Sequence, residues 1–129
     1  MLIRSASLVL VGVLVLQGCV WVSAPVKQLD GLSPEDRGAV LGLPIYNEGE
    51  LAGKEHAVVN SVEGTSCKYR MEDPAATEID AINEAKYSAK DQGAEGIKNL
   101  KCDPPRGKTI FHACWESITC AGQAIKFAK

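Results

Sequence analysis

Few of the residues that usually announce chemistry are present. Histidine occurs twice, at His56 and His112, and no Cys-x-x-Cys pair exists in the 129 residues. A zinc site needs Cys, His or carboxylate ligands at close spacing. A thiol oxidoreductase needs an activated cysteine, usually in that missing motif. Ser66 and Ser117 have no base placed beside them, so nucleophilic catalysis has no starting point. Lysine and arginine are scattered, and the net charge is −2, which excludes a clustered basic face for nucleic acid. Also missing is a run of about 20 apolar residues, the length that crosses a bilayer. What remains is a chain with no catalytic constellation and no cofactor motif, long enough for one small domain.

What is there begins at the N-terminus. Arg4 gives a short positive region, and Ala6 to Leu16 form an apolar stretch of eleven residues. That length suits a removable export signal over residues 1–18 better than a spanning helix. It ends in Leu16-Gln17-Gly18-Cys19. This tetrad resembles the lipobox of bacterial lipoproteins, although Gln17 stands where a small residue is more usual. The resemblance implies a diacylglyceryl thioether on Cys19, cleavage after Gly18 and acylation of the new amino group. Several acyl chains at about 0.8 kcal/mol per buried methylene hold a protein at a membrane without a helix. The expectation is an envelope lipoprotein of a Gram-negative-type bacterium. Lipoproteins kept at the inner membrane resemble one another in an Asp after the lipidated cysteine; Val20 stands there instead, which favours the outer membrane.

Residues 19–43 read as the lipidated cysteine and a tether, punctuated by Pro25, Pro34, Gly31, Gly38 and Gly42. Ser33-Pro34-Glu35-Asp36 predicts a one-turn helix start, with Ser33 as N-cap. A domain is expected over 44–129. His56 to Glu63 suggests a strand, and Glu63-Gly64-Thr65-Ser66 has turn chemistry. Asp73 and Pro74 predict the start of a helix over 74–92, with Ile79, Ile82, Ala85 and Ala89 on its apolar face and Gly93 as its stop. Three strands should follow: Gly96 to Cys102, Ile110 to Trp115 after an irregular loop at 103–107, and Ile118 to Phe127. The last two form a hairpin in this reading. Gly122 marks a bulge or a close backbone approach. The expected fold is α+β, one main helix on a largely antiparallel sheet of about four strands. His112 is expected to be structural, Glu48 and Glu50 to be a solvated acidic turn, and Trp115 to serve either a binding surface or the core.

Without Cys19, four cysteines remain: Cys67, Cys102, Cys114 and Cys120. In an oxidising compartment an even set favours disulfides. If 96–102 and 110–115 pair as a hairpin, Cys102 lies away from Cys114. Two pairings stay open: Cys67–Cys114 with Cys102–Cys120, or Cys67–Cys102 with Cys114–Cys120. Each bridge is worth roughly 2–4 kcal/mol.

Ile45-Tyr46-Asn47-Glu48-Gly49-Glu50-Leu51-Ala52-Gly53-Lys54, Gly64-Thr65-Ser66-Cys67 and Cys114 to Cys120 followed by Ala121-Gly122-Gln123-Ala124-Ile125 resemble the RcsF family, over about residues 45–129. The order and spacing of the four cysteines around one helix carry the resemblance most specifically. It implies the crossed pairing, Cys67–Cys114 and Cys102–Cys120. It also implies an outer-membrane lipoprotein that senses envelope stress for the Rcs phosphorelay. The partners implied are an IgaA-like inner-membrane regulator and an outer-membrane barrel or BamA-like protein, with the domain facing the periplasm. Family members from enterobacteria carry a long, basic, proline-rich linker that threads barrels. Residues 20–43 are shorter, poorer in proline and not basic, and loop 103–109 is longer. The alternative is a structural or envelope-assembly lipoprotein with the same fold and no phosphorelay role.

Overall fold

A computed structural model describes residues 29–108 and 113–129. The export signal, Cys19 and His112 lie outside the described residues. The architecture is α+β. Five strands form one mixed sheet: β1 (Ile45–Tyr46), β2 (His56–Lys68), β3 (Gly96–Cys102), β4 (Arg106–Gly107) and β5 (Glu116–Phe127), in the order β1-β3-β5-β2 with β4 also on β5. Only the β1–β3 pair is parallel; β2, β3 and β4 all run antiparallel to β5. Two helices accompany the sheet, α1 (Pro34–Leu41) and α2 (Glu78–Asp91).

Helix α2 starts later than the sequence suggests. Thr77, not Asp73, is the N-cap, its hydroxyl accepting from the Asp80 amide at 3.1 Å. Asp73 closes a separate turn instead, accepting from the Arg70 amide at 2.9 Å. Both residues are able to cap; Ser66 decides between them. Its buried hydroxyl accepts from the Thr77 amide at 3.0 Å and ties the helix start to β2. The expected apolar face holds at Ile82, Ala85 and Ala89 but not at Ile79. Ala81, Ala85 and Ala89 are fully buried, whereas Ile79 is 70% exposed. A one-per-turn alanine stripe lets a helix backbone come very close to a sheet.

Gly64 receives that approach. The expected turn at 63–66 does not form, and β2 continues through it to Lys68. A Cβ on Gly64 would fall on the Ala81 carbonyl oxygen and the Ala85 amide nitrogen, and 2.9 Å from the Glu84 carbonyl carbon. Lack of a side chain matters here because helix backbone occupies the space. Gly122 on β5 plays the second role foreseen for it, a close approach. A Cβ there would sit 2.9 Å from Ile97 Cγ2 and 3.1 Å from the Leu100 Cα. The bulge itself is on the opposite strand, where the β3 register shifts between Lys98 and Lys101 and Asn99 has φ 55°. Asn tolerates that left-handed conformation better than most residues.

Strand β3 has the expected bounds. By contrast, residues 113–115 are not in a strand, and 110–112 lie outside the described residues. No 110–115/118–127 hairpin is seen among the described residues. β5 instead takes β2 along its whole length, from His56 opposite Phe127 to Lys68 opposite Glu116. The short strand β4 arises within the expected loop and occupies the stretch of β5 left open where β3 ends. β2 is therefore an edge strand, and its ladder carries one irregularity, between Val58 and Asn60.

The described part of the expected tether is folded. Arg37 ties a 3-10 turn at Leu29–Gly31 to α1, donating to the Leu29 carbonyl at 3.0 and 3.2 Å. Ser33 caps α1 through the Asp36 amide at 3.1 Å, and the helix runs for eight residues rather than one turn. Val40 and Leu43 are buried, and Lys86 of α2 donates to the Leu41 carbonyl at 2.9 Å. Leu43 joins Val62, Ala85, Ala89, Ala94, Ile97 and Ala124 in the main core. A second cluster holds Ala76, Ala81, Ile118 and Cys120, with Leu100 packed against both.

Candidate functional site

A core built so largely from alanine removes little apolar area from water per residue, since stabilisation scales at about 25 cal/mol per Å². Covalent staples compensate in domains of this kind. Two are present. Cys67, at the end of β2, is bonded to Cys114, just before β5; their Cα atoms are 5.4 Å apart. Cys102 ends β3 directly opposite Cys120 of β5 and is bonded to it. Of the two pairings the residues left open, this is the crossed one. The loop 67–114 contains Cys102, and the loop 102–120 contains Cys114. On a chain-entropy account, the separations of 47 and 18 residues correspond to about 4 and 3 kcal/mol.

The Cys67–Cys114 bridge organises one end of the molecule. The Trp115 amide donates to the Lys68 carbonyl at 2.6 Å, so the chain on either side of the bridge is locked. Beyond it, residues 69–73 turn back through the Asp73 contacts with Arg70. Trp115 lies at the surface, 42% exposed, with the Lys108 ammonium 4.9 Å from its ring centre. Tyr69 and Met71 are 42% and 71% exposed. Leu29 and Asp30 line one open groove with Thr65, Cys67, Tyr69 and Asp73. The described chain thus begins at a groove that runs from this end along the first half of α2, to Asp80 and Asn83.

At the opposite end, His56 is held at both ring nitrogens. Lys98 Nζ donates to Nε2 at 3.0 Å, and Nδ1 faces the Lys54 carbonyl at 2.8 Å. A carbonyl only accepts, so Nδ1 carries the proton. Tyr46 meets Phe127 edge to face, centroids 5.7 Å apart, beside Lys54. Glu48 and Glu50 are both exposed in a 3-10 turn, as expected of a solvated acidic turn, and Glu50 also accepts from the Asn47 amide at 2.6 Å. The middle of the sheet face away from α2 is polar. Thr65 and Thr119 share a hydroxyl contact at 3.1 Å across β2 and β5, and a shallow groove is lined by Ser61, Glu63, Asn99 and Gln123. Ser66 is spent on the Thr77 amide. Among the described residues, no three His, Cys, Asp or Glu side chains converge in a metal-binding group. No described helix is long and apolar enough to cross a membrane.

The sequence singled out all four bridging cysteines. It missed the apolar end that they organise. Tyr69 and Met71 carry no motif, and only the pairing of β2 with β5 places them at the same end as Trp115. No protein-family model matches the chain, and no curated protein matches it.

Proposed function

We propose that the protein is an outer-membrane lipoprotein, anchored through acyl chains on Cys19. Its disulfide-stapled domain faces the periplasm and acts as a non-enzymatic envelope-stress sensor upstream of a phosphorelay of the Rcs type. The observation that carries this reading is the crossed pair of bridges, Cys67–Cys114 and Cys102–Cys120, flanking a single sheet-packed helix. That is the arrangement the RcsF resemblance implies. The lipobox-like Leu16-Gln17-Gly18-Cys19 supports the anchor. An IgaA-like inner-membrane regulator and a BamA-like barrel protein are the proposed partners. Deleting the gene and recording phosphorelay-dependent transcription under outer-membrane damage tests the signalling role. An unchanged transcriptional response removes it.

One observation favours the second reading, a structural or assembly lipoprotein without a phosphorelay. The folded structure reaches back to Leu29, ten residues after Cys19. Ten residues span at most about 35 Å fully extended, so the domain stays near the membrane that holds its lipid. Cys19→Ala should abolish membrane anchoring and leave a misprocessed precursor. The anchor reading fails if the variant still fractionates with outer membranes at the wild-type yield.

A further inference from the structure

The exposed apolar side chains of the bridged end are of the kind that partition into a membrane interface. Tyr69 and Met71 follow Lys68, whose carbonyl accepts from the Trp115 amide, so these three exposed residues belong to the same end of the molecule. Tyrosine and tryptophan present an apolar body with one polar tip, which suits the headgroup level of a bilayer. Leu41 and Ile45, and Val58 and Val59, stand elsewhere, whereas Ile79 lies in the first turn of α2, whose start is tied to Ser66 beside Cys67.

Chain geometry says which surface this end faces. The described chain enters the fold here, Leu29 and Asp30 sharing a groove with Cys67, Tyr69 and Asp73. From Cys19 to Leu29 the reach is at most about 35 Å. Strand β2, with 13 residues, is roughly 40 Å long. An anchor at Cys19 therefore leaves the bridged end within reach of the lipid surface. Charge does not oppose contact, because Lys68, Arg70 and Lys108 stand among Glu72, Asp73 and Glu116. A tethered patch also needs little affinity of its own, since the tether sets a high effective concentration.

We infer that the Tyr69–Met71–Trp115 end is a membrane-docking surface, seated in the interface of the leaflet that holds the Cys19 lipid. This rests on the lipoprotein reading. Docking would lay the domain against its own membrane; release would expose the end to a partner.

The test uses the full lipidated protein with Trp21→Phe, which leaves Trp115 as the one tryptophan. It is reconstituted in phosphatidylethanolamine–phosphatidylglycerol vesicles with and without brominated acyl chains. Flotation with the vesicles reads the anchor, and Trp115 quenching by bromine reads docking. The expected result is flotation, bromine quenching and protection from acrylamide. Tyr69→Ser with Met71→Ser should lose most of the quenching while flotation is unchanged. Flotation with no bromine quenching overturns the docking surface and leaves the anchor standing. Failure to float overturns the anchor and the docking surface with it. Protection from acrylamide that grows with protein density, without bromine quenching, assigns the end to a second copy of the chain and overturns the lipid contact.

Discussion

Gly64 and Gly38 are the same residue type in opposite circumstances. Helix backbone fills the space where a Gly64 side chain would go, while nothing lies within 4 Å of a Cβ on Gly38. Gly64→Ala should therefore force α2 off the sheet and cost at least about 1–3 kcal/mol, as overpacking does. Gly38→Ala, inside α1, should stabilise by about 0.5–1 kcal/mol. Denaturant unfolding of the oxidised protein measures both, and equal effects would contradict the packing described. Residue chemistry alone reads Gly64 as a turn because it sits between Glu63 and Thr65-Ser66. The competing cause, a helix 17 residues further on that begins to press on it at Ala81, has no local signature. Thr77 and Asp73 show the same limit. Either side chain can cap a helix, and the choice follows from a hydrogen bond to Ser66, distant in sequence.

Elements defined by their own ends were legible. The start of α1 at Ser33-Pro34, the stop of α2 at Gly93 with φ 75°, and the whole of β3 needed no partner to be recognised. The start of β2 and most of β5 were legible too, but the two shortest strands were not. β1 has two residues, β4 has two, and both depend on a neighbour to supply the ladder. On α2 the expected face held at Ile82, Ala85 and Ala89, but Ile79 was counted where Ala81 packs, because isoleucine outweighs alanine in any apolar pattern while close packing selects the smaller side chain. Leu43 is the element-scale test of where the domain begins. It is 5% exposed and packs in the main core, so Leu43→Ala should cost roughly 2–5 kcal/mol; a loss near zero in denaturant unfolding would return residues 33–43 to the tether. The bridges supply another prediction. Bonding cysteines in the order they emerge joins Cys67 to Cys102 and Cys114 to Cys120, not the pairs present. Reshuffling takes seconds to hours without a catalyst. If the domain faces the periplasm as proposed, loss of periplasmic disulfide isomerase activity should lower the level of folded protein while synthesis continues, and peptide mapping should recover Cys67–Cys102 among the trapped species. An unchanged level and native peptides alone would count against a need for reshuffling.

At the scale of the whole molecule, the sheet of the described residues is closed on one margin by the short strand β1 and left open on the other, among those residues, at β2. An open margin of 13 residues offers a row of unpaired amides and carbonyls on which another chain's strand can build. Its most apolar exposed stretch is Val58-Val59, at 46% and 42% exposure. The one ladder irregularity on β2 falls there: Val58 faces Ile125, Asn60 faces Ala124, and Val59 is the extra residue. An inserted residue bends a strand and raises its twist, so the stretch most able to recruit a neighbour is also the stretch least able to align with one. Deleting Val59 should restore a straight ladder without touching the core. The expected outcome is faster growth of light scattering at equal concentration and temperature, with little change in the unfolding midpoint. Equal scattering would show that the kink gives no protection. For a protein proposed to crowd on a two-dimensional membrane, where every copy presents the same margin at the same height, Val59 would be what keeps neighbours from zipping into a common sheet.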